Sequence, residues 1–158
     1  FVALAKNGYK NIAGISYKQN NREASSFFLE LRKPYIANEM HKGGPSSEVK
    51  KSLQNNEMLI LLSDQDAGKK GVFVNFFNKS SSTPSGAARY HQTMGSPLIF
   101  FSMVKTNNHH EANFERIDTT NMSIEDTVQK YTSVLEQRIR KYPEQYFWPH
   151  KRWKTKPQ

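Results

Sequence analysis

Two acidic residues follow an apolar run in the middle of the chain. Asp64 and Asp66 come directly after residues 58–62, and a turn rich in glycine and lysine then leads to a second apolar stretch, residues 72–77. Carboxylates are costly to desolvate at the end of a buried strand unless they bind a partner. Ligands of α/β sheets bind at such strand ends. The spacing therefore predicts a binding site at Asp64 and Asp66, with a simple turn-capping role as the alternative.

The composition indicates one polar, globular domain. The 158 residues are 36% hydrophobic and 12% aromatic, with a mean hydropathy of -0.77. This length supports a real core, and the aromatic content excludes a disordered chain. Cysteine is absent from the sequence, which excludes disulfide and thiolate–zinc scaffolds. The longest apolar runs are far shorter than the roughly 20 residues of a membrane-spanning helix.

The net charge of +9 is concentrated near the end of the chain. Residues 138–158 contain seven basic residues and a single acid. Such a cluster suits an anionic partner, which includes lipid headgroups, an acidic carrier protein, a phosphorylated substrate and nucleic acid. Tryptophans stand among the cations, as they do at membrane surfaces. We therefore predict membrane or lipid-phosphate contact by the tail, residues 142–158, and packing of the same tail on the domain is compatible with it.

Apolar and turn signals alternate as in an α/β protein. Strands are predicted at residues 12–17, 36–40, 58–62, 97–104 and 112–118. Helices are predicted at residues 22–32, from Pro45 to about residue 54, from Thr83-Pro84 to Gly95, and from Ser123 to Ile139. The unbroken apolar runs 58–62 and 97–104 predict strands that are buried on both faces. Together these elements favour a layered α/β domain with a mostly parallel sheet.

The first residues have the pattern of a helix end. Residues 1–5 read FVALA, and Gly8 stands where a helix C-cap is expected. A domain is not expected to begin inside a helix, so this pattern predicts that a further segment precedes residue 1.

Several short motifs occur in a fixed order along the chain. They are DQD at 64–66, GVFV at 71–74, FF at 76–77, TP at 83–84, GSP at 95–97, YPEQYFW at 142–148 and HKRWK at 150–154. With these motifs the chain resembles a bacterial lipid A biosynthesis acyltransferase. That family is the lauroyl and myristoyl transferase group of the lysophospholipid acyltransferase superfamily. The resemblance covers nearly the whole chain, and it makes residues 1–158 the C-terminal portion of one such domain.

The resemblance implies a reaction, a location and a fold. A fatty acyl chain would pass from acyl carrier protein or acyl-CoA to a hydroxyl of a lipid A precursor or related glycolipid, in lipopolysaccharide synthesis and without a cofactor. The reaction would take place at the cytoplasmic face of the inner membrane, where the protein contacts an anionic lipid surface. The fold would be a partial lysophospholipid-acyltransferase-like layered domain, with helices flanking the sheet. The family uses a histidine, with an acid five positions later, as general base. That pair is expected before Phe1, so this chain alone is expected to be inactive.

One pair inside the chain has the same spacing as that catalytic motif. His110 and Glu115 are five residues apart, but they follow a predicted turn and fall on a predicted strand. Residues five apart on a strand point to opposite faces, so these two side chains are predicted not to meet. The neighbouring pair His109-His110 lacks a third metal ligand, and no metal site is predicted.

The resemblance also implies roles for individual residues. The expected substrate-binding residues are Lys18, Asp64, Asp66, Thr83 and Arg152. Lys18 stands where the family carries arginine, and lysine lacks the two-pronged geometry of that group. Phe73 and Phe76 are candidates for the acyl groove, with ordinary core packing as the alternative. The expected membrane contacts are Trp148, Lys151, Trp153 and Lys154.

Two other functions remain open at this point. The first is a non-catalytic relative that keeps the fold as a lipid-binding domain. The second is a basic nucleic-acid-binding module, prompted by a pI of 9.7 and the aromatic tail. No recognisable nucleic-acid motif supports the second, so nucleic acid is not among the predicted partners.

Overall fold

The computed structural model describes residues 2–17 and 20–157. The chain divides after Leu61 into two compact units, and each is described by itself. Lys18, one of the predicted binding residues, lies outside the described residues.

The first unit contains a three-stranded parallel sheet with helices along its chain. Its elements are α1 (Val2–Lys6), β1 (Ile12–Ser16), α2 (Arg22–Arg32), β2 (Asn38–His41), α3 (Ser46–Gln54) and β3 (Met58–Ile60). β1 is the central strand and pairs in parallel with β2 and β3. Its residues Ile12 and Ala13 are fully buried. The other buried apolar residues of this unit are Leu4, Ile36, Met40 and Val49.

Helix α2 has the predicted bounds, and its apolar side chains are exposed. Asn21 caps it by accepting a hydrogen bond from the Ala24 amide at 2.9 Å, and it ends at Arg32, before Pro34. Its apolar side chains stay exposed, including Phe27 at 63%.

The second unit contains two antiparallel hairpins and two helices. Its elements are β4 (Val72–Phe76), β5 (Lys79–Thr83), α4 (Gly86–Met94), β6 (Ile99–Thr106), β7 (His109–Arg116) and α5 (Ile124–Lys141). Its core draws on strands and both helices, and it consists of Val74, Ala88, Ile117, Val128, Tyr131 and Val134. Leu98 and Phe100 pack against this core from the start of β6.

The parallel sheet that we predicted is confirmed only in the first unit. β4 pairs with β5, and β6 pairs with β7, both antiparallel. Only two residues link each pair, Phe77-Asn78 and Asn107-Asn108. A parallel pair needs a crossover of a dozen or more residues, so these short links force the antiparallel arrangement. In the first link both residues have positive φ, 52° and 58°, as in a type I′ hairpin turn.

The strand β5 was not predicted, and the helix start at Thr83 is wrong. Residues 79–83 read KSSST and show no apolar alternation. Thr83 is the last residue of β5, and α4 begins three residues later with Ser85 at its N-cap. The Thr83 hydroxyl does not cap the helix, because it accepts from Nη2 of Arg152 at 2.6 Å and donates to the Ser81 carbonyl at 3.3 Å. The predicted helix stop is confirmed, since Gly95 ends α4 with a φ of 66°.

The two strands predicted to be buried on both faces are only partly covered. β3 ends at Ile60 and is half-buried, while Leu62 is exposed. β6 alternates between covered and exposed positions, and Val104 is its one fully buried residue. β6 belongs to a two-stranded sheet with one face on the core, so its other face remains open to solvent.

Two glutamines cap open strand edges in the second unit. Gln129 of α5 accepts a hydrogen bond from the Asn75 amide at 2.8 Å and donates to its carbonyl at 3.0 Å. Gln145 does the same for Lys105, at 2.7 and 2.9 Å. A carboxamide has the same donor and acceptor geometry as a neighbouring strand, so it ends the sheet at these points.

Helix α5 begins at the N-cap Ser123 that the sequence predicts, and the structure adds a complete capping box with Asp126. The Ser123 hydroxyl accepts from the Asp126 amide at 3.0 Å, and the Asp126 carboxylate accepts from the Ser123 amide at 3.2 Å.

Replacing this cap with Ser123→Ala is expected to lower the free energy of unfolding by about 1 kcal/mol, because one amide at the helix start loses its partner. Chemical denaturation followed by circular dichroism measures the change. Ser80→Ala, at an exposed position of β5, is the matched control and should change stability by no more than about 0.5 kcal/mol. Equal effects of the two substitutions would contradict the role of the cap.

Candidate functional site

The acidic loop after Leu62 is held by the tail of the chain. The Thr155 hydroxyl and amide both donate to the Asp66 carboxylate, at 2.8 and 3.3 Å. The Gly68 amide donates to the same group at 3.1 Å. The Asp66 amide donates to Nε2 of His150 at 2.9 Å. Residues more than eighty positions apart in the sequence therefore fix one loop.

Arg152 is the centre of this arrangement. Its side chain is 1% exposed. Nη1 donates to the Ser82 carbonyl and Nη2 to the Thr83 hydroxyl, each at 2.6 Å. Its guanidinium lies 5.2 Å from the centre of the Phe76 ring, which adds a cation–π contact. A single side chain of the tail thus contacts both strands of the β4–β5 hairpin.

The charges around Arg152 stabilise its buried cation. Burial lowers its pKa, and the nearby Tyr146, Asp66, Asp64 and Tyr131 oppose that effect. Arginine starts from such a high pKa that the group stays charged.

The carboxyl group of Asp66 is kept ionised. Burial opposes ionisation of Asp66, but the hydrogen bonds from Thr155 and Gly68, together with the charge of Arg152, hold the pKa of this carboxyl below its ordinary value. Burial raises the pKa of Tyr146, so its hydroxyl keeps its proton and donates to the Asp64 carbonyl at 3.3 Å.

Two buried polar atoms of this cluster have unused hydrogen-bonding capacity. Among the described residues, neither Oδ1 of Asp64 nor Nε of Arg152 has a hydrogen-bond partner. One is an acceptor and the other is a donor, and buried groups of this kind rarely stay unpaired. Ser81 Oγ and Ser102 Oγ of the same unit also lack a partner among the described residues, but only Asp64 Oδ1 and Arg152 Nε belong to charged groups.

Aromatic rings pack beside the polar cluster. Phe76 is fully buried and stacks with Trp153 at a centroid distance of 5.5 Å. The Trp153 indole donates to the Phe76 carbonyl at 3.2 Å, which ties the tail to the strand. Phe73 is half-buried on the same strand. Trp148 is 47% exposed.

The structure brings together most of the residues predicted to bind substrate. Asp66, Thr83 and Arg152 form one contact network, and Asp64 is close enough to act on the charge of Arg152. Lys151 and Lys154 of the tail are exposed.

The sequence reasoning missed the partners Ser82, Tyr131, Tyr146, His150 and Thr155. Tyr146 and His150 stand in the closing motifs, but nothing in their spacing connects them to Asp64 or Asp66.

The histidines offer no second centre in the described part of the chain. His110 and Glu115 lie on β7, and their partners across the hairpin are Lys105 and Phe100. Glu115 contacts Arg138 at 3.7 Å, so the predicted separation of this pair is confirmed. Both ring nitrogens of His91 are engaged, by the Ser96 carbonyl and the Thr119 hydroxyl. Residues 2–17 and 20–157 hold no group of three metal-ligating side chains.

The first unit has a polar cluster of its own at the ends of β1 and β2. Glu39 accepts hydrogen bonds from the Ser16 hydroxyl and from Nη2 of Arg32, both at 2.6 Å. Burial opposes ionisation of Glu39, but these bonds and the charge of Arg32 hold its pKa below the ordinary value. This carboxylate has its partners within the chain, in contrast to Asp64 Oδ1.

Replacing the buried cation with Arg152→Lys is expected to lower the free energy of unfolding by about 1.5 to 3 kcal/mol. A lysine cannot reach both Ser82 and Thr83, so at least one charged hydrogen bond is lost. Urea denaturation gives the value. Lys151→Met removes an exposed cation from the neighbouring position and should be nearly neutral, so equal losses would show that Arg152 is not the anchor.

The low pKa of Asp66 predicts a defined acid dependence. Its ionised form contributes stability that is complete above about pH 4 and is lost as the pH falls through the lowered native pKa. Asp66→Asn should therefore be destabilised near pH 7, and its deficit relative to the natural chain should vanish near pH 2. Urea denaturation across this range measures the deficit, with the exposed Glu144→Gln as control. A deficit that does not change with pH would contradict this account.

Comparisons with known proteins agree with the ordered motifs. The family model for bacterial lipid A biosynthesis acyltransferases matches residues 2–155. A search of curated proteins finds no match to the chain. No helix in the described ranges has the length and apolar character required to cross a bilayer. Because the family match covers almost every residue, the chain belongs to the bacterial lipid A biosynthesis acyltransferase family.

Proposed function

We propose that this chain binds and orients the substrates when a fatty acyl group passes from acyl carrier protein or acyl-CoA to a hydroxyl of a lipid A precursor or related glycolipid. Membership of the family establishes a general acyltransferase role with an acyl donor and a lipid acceptor. The family is membrane-associated in bacteria. The identity of the donor, the cytoplasmic face of the inner membrane and the roles of single residues belong to the proposal.

The unpaired atoms beside Arg152 carry the proposal. Asp64 Oδ1 accepts and Arg152 Nε donates, and both are buried without a partner among the described residues. A glycolipid acceptor supplies both complements, because a sugar hydroxyl donates to the carboxylate and a sugar or phosphate oxygen accepts from the guanidinium. Asp66 then keeps Arg152 charged, and Thr83 orients it. Lys18, which lies outside the described residues, is assigned separately to binding an anionic group of the substrate.

The aromatic and basic side chains of the hairpin and tail take the apolar part of the substrates. Phe73, which is half-buried, is assigned to the acyl groove, whereas Phe76 is fully buried against Trp153, which favours the alternative of ordinary core packing for that residue. Trp148, Lys151 and Lys154 are exposed and are assigned, with Trp153, to the headgroup layer of the anionic membrane. The mixture of an indole ring and ammonium groups fits that layer, where apolar and charged surfaces meet.

Proton abstraction is not assigned to the histidines of the described residues. His91 is held by two internal partners, and His110 and Glu115 point to opposite faces of β7. His109 does contact Glu111 at 3.2 Å, but both side chains are largely exposed in the hairpin, where water competes for the pair. Because none of these three histidines has the surroundings of a general base, we expect the chain alone to bind an acceptor without acylating it.

Asp64→Asn is the sharpest test of the acceptor site. The amide keeps the shape but weakens the acceptor, so we expect affinity for a lipid A precursor in detergent micelles to fall at least tenfold, as measured by calorimetry. The substitution also removes a charge that stabilises Arg152, so circular dichroism and urea denaturation must show that the variant keeps its fold. Asp118→Asn, an exposed residue away from the cluster, is the matched control. Unchanged affinity in Asp64→Asn would contradict the assignment.

An activity measurement separates this proposal from the alternatives. The chain is incubated with the acceptor and either acyl donor, and mass spectrometry detects an acylated product. Binding without product agrees with the expectation that the chain alone does not acylate the acceptor, whereas acylation would show that a residue of this chain abstracts the proton. Binding of duplex DNA that weakens steeply with salt, without lipid affinity, would favour the nucleic-acid-binding alternative.

A further inference from the structure

The outer face of the β6–β7 hairpin combines apolar and basic side chains. Alternate residues of β6 lie on this face, and Ile99, Phe101 and Met103 are 53, 36 and 42% exposed. Phe101 is opposite Phe114 in the register, and the two ring centroids are 5.2 Å apart. Met103 is opposite Ala112, which continues the apolar surface.

The charges of the hairpin are sorted between its two faces. Ile99 is opposite Arg116, and Lys105 is opposite His110, so each end of the apolar surface carries a basic residue. The face has no acid. It consists of Ile99, Phe101, Met103, Lys105, His110, Ala112, Phe114 and Arg116, and we call it the outer face.

The acids of the hairpin lie on the face that is turned to the domain. Glu111 and Glu115 alternate with the residues of the outer face, and Glu115 contacts Arg138 of α5 at 3.7 Å. Phe100 packs on the core, and Val104 of the same face is buried. The carboxylates of the hairpin therefore lie on the inner side of the sheet, whereas its basic side chains at Lys105 and Arg116 belong to the outer face.

We propose that the outer face rests on an anionic lipid bilayer. The hairpin is about 20 Å long over the seven residues from Ile99 to Lys105. In this orientation the apolar centre enters the headgroup boundary while the cations at both ends meet lipid phosphates. This charge complementarity favours a lipid surface over a second protein. The inference rests on the proposed function in one respect, that the acceptor is a membrane lipid. It makes the hairpin a membrane contact in addition to the tail.

Co-sedimentation with vesicles tests the proposal. Phosphatidylcholine vesicles that contain phosphatidylglycerol should bind the chain, and pure phosphatidylcholine vesicles should bind it weakly. Lys105→Glu with Arg116→Glu should weaken binding at least 25-fold, since each cation near the surface contributes about fivefold. Lys50→Glu with Lys130→Glu makes the same change of net charge elsewhere and should have a clearly smaller effect. Equal losses in the two double variants would overturn the proposal.

The apolar part of the face is tested in the same way. Phe101→Glu should weaken binding at least tenfold, because it places a carboxylate in the headgroup boundary. Phe27→Glu changes an exposed phenylalanine of α2 and is the control. Unaltered circular dichroism spectra exclude loss of fold as the cause. Phosphatidylglycerol binding that survives in Phe101→Glu would assign the lipid contact to another surface and overturn the proposal.

A fluorescence measurement keeps the test independent of charge changes. The chain has no cysteine, so Met103→Cys introduces one labelling site for an environment-sensitive fluorophore. Its emission should shift to the blue when phosphatidylglycerol vesicles are added, while the same label at Lys50→Cys should not respond. No difference between the two sites would overturn the proposal.

Two further observations separate this inference from its alternatives. Hairpin variants should bind the acceptor in detergent micelles as the natural chain does, so failure of the proposed function appears there and not in the vesicle experiment. Light scattering reports whether the outer face joins two copies of the chain. A dimer that Phe101→Glu dissociates, in the absence of any vesicle binding, would overturn the lipid proposal.

Discussion

The second unit depends on one buried cation. Arg152 comes from the tail, but its partners are the Ser82 carbonyl, the Thr83 hydroxyl and the Phe76 ring in the hairpin. A charge in this position is tolerated only because oxygens and acidic side chains surround it, since an unpaired charge is very costly to bury. The requirement explains why β5 ends in three buried hydroxyl residues, Ser81, Ser82 and Thr83, where an ordinary strand has apolar ones.

Polar side chains also define where the sheets stop. Gln129 occupies the hydrogen-bonding groups of Asn75, and Gln145 occupies those of Lys105. Glu136 accepts from the Phe77 amide at 2.7 Å, just beyond the end of β4. Unpaired strand edges invite association with other chains, and these contacts remove the strongest donors and acceptors from two such edges. Helix α5 thus supplies core residues on one side and edge caps on another.

Local patterns in the sequence predict the helices well and the sheet poorly. The cap at Ser123 and the stop at Gly95 are encoded within a few residues, and both appear as predicted. β5 could not be predicted because its serines carry no apolar alternation and are buried by a partner seventy residues away. The parallel pairing was overestimated, because an apolar run indicates a strand but not the direction of its neighbour.

The candidate site was predictable in its residue types but not in its assembly. The two aspartates attract attention because they follow an apolar run, and Arg152 because it stands in a basic aromatic tail. The contacts between them could not be predicted from the sequence, since no spacing rule connects residues 64–66 with residues 146–155. The ordered motifs did identify the family, which a match over residues 2–155 shows. The resemblance predicts that these residues form a site. The distances in the structure show, in addition, which of their atoms are already hydrogen-bonded within the chain.

The hydrogen bonds from Thr155 to Asp66 of the acidic loop have a consequence for biosynthesis. Asp66 is synthesised long before Thr155, so during translation the acidic loop lacks the partner that later holds it. Contacts that span almost ninety residues form late and slowly, because a large loop must be closed before they can form. The second unit therefore reaches its native arrangement only after Thr155 has cleared the exit tunnel.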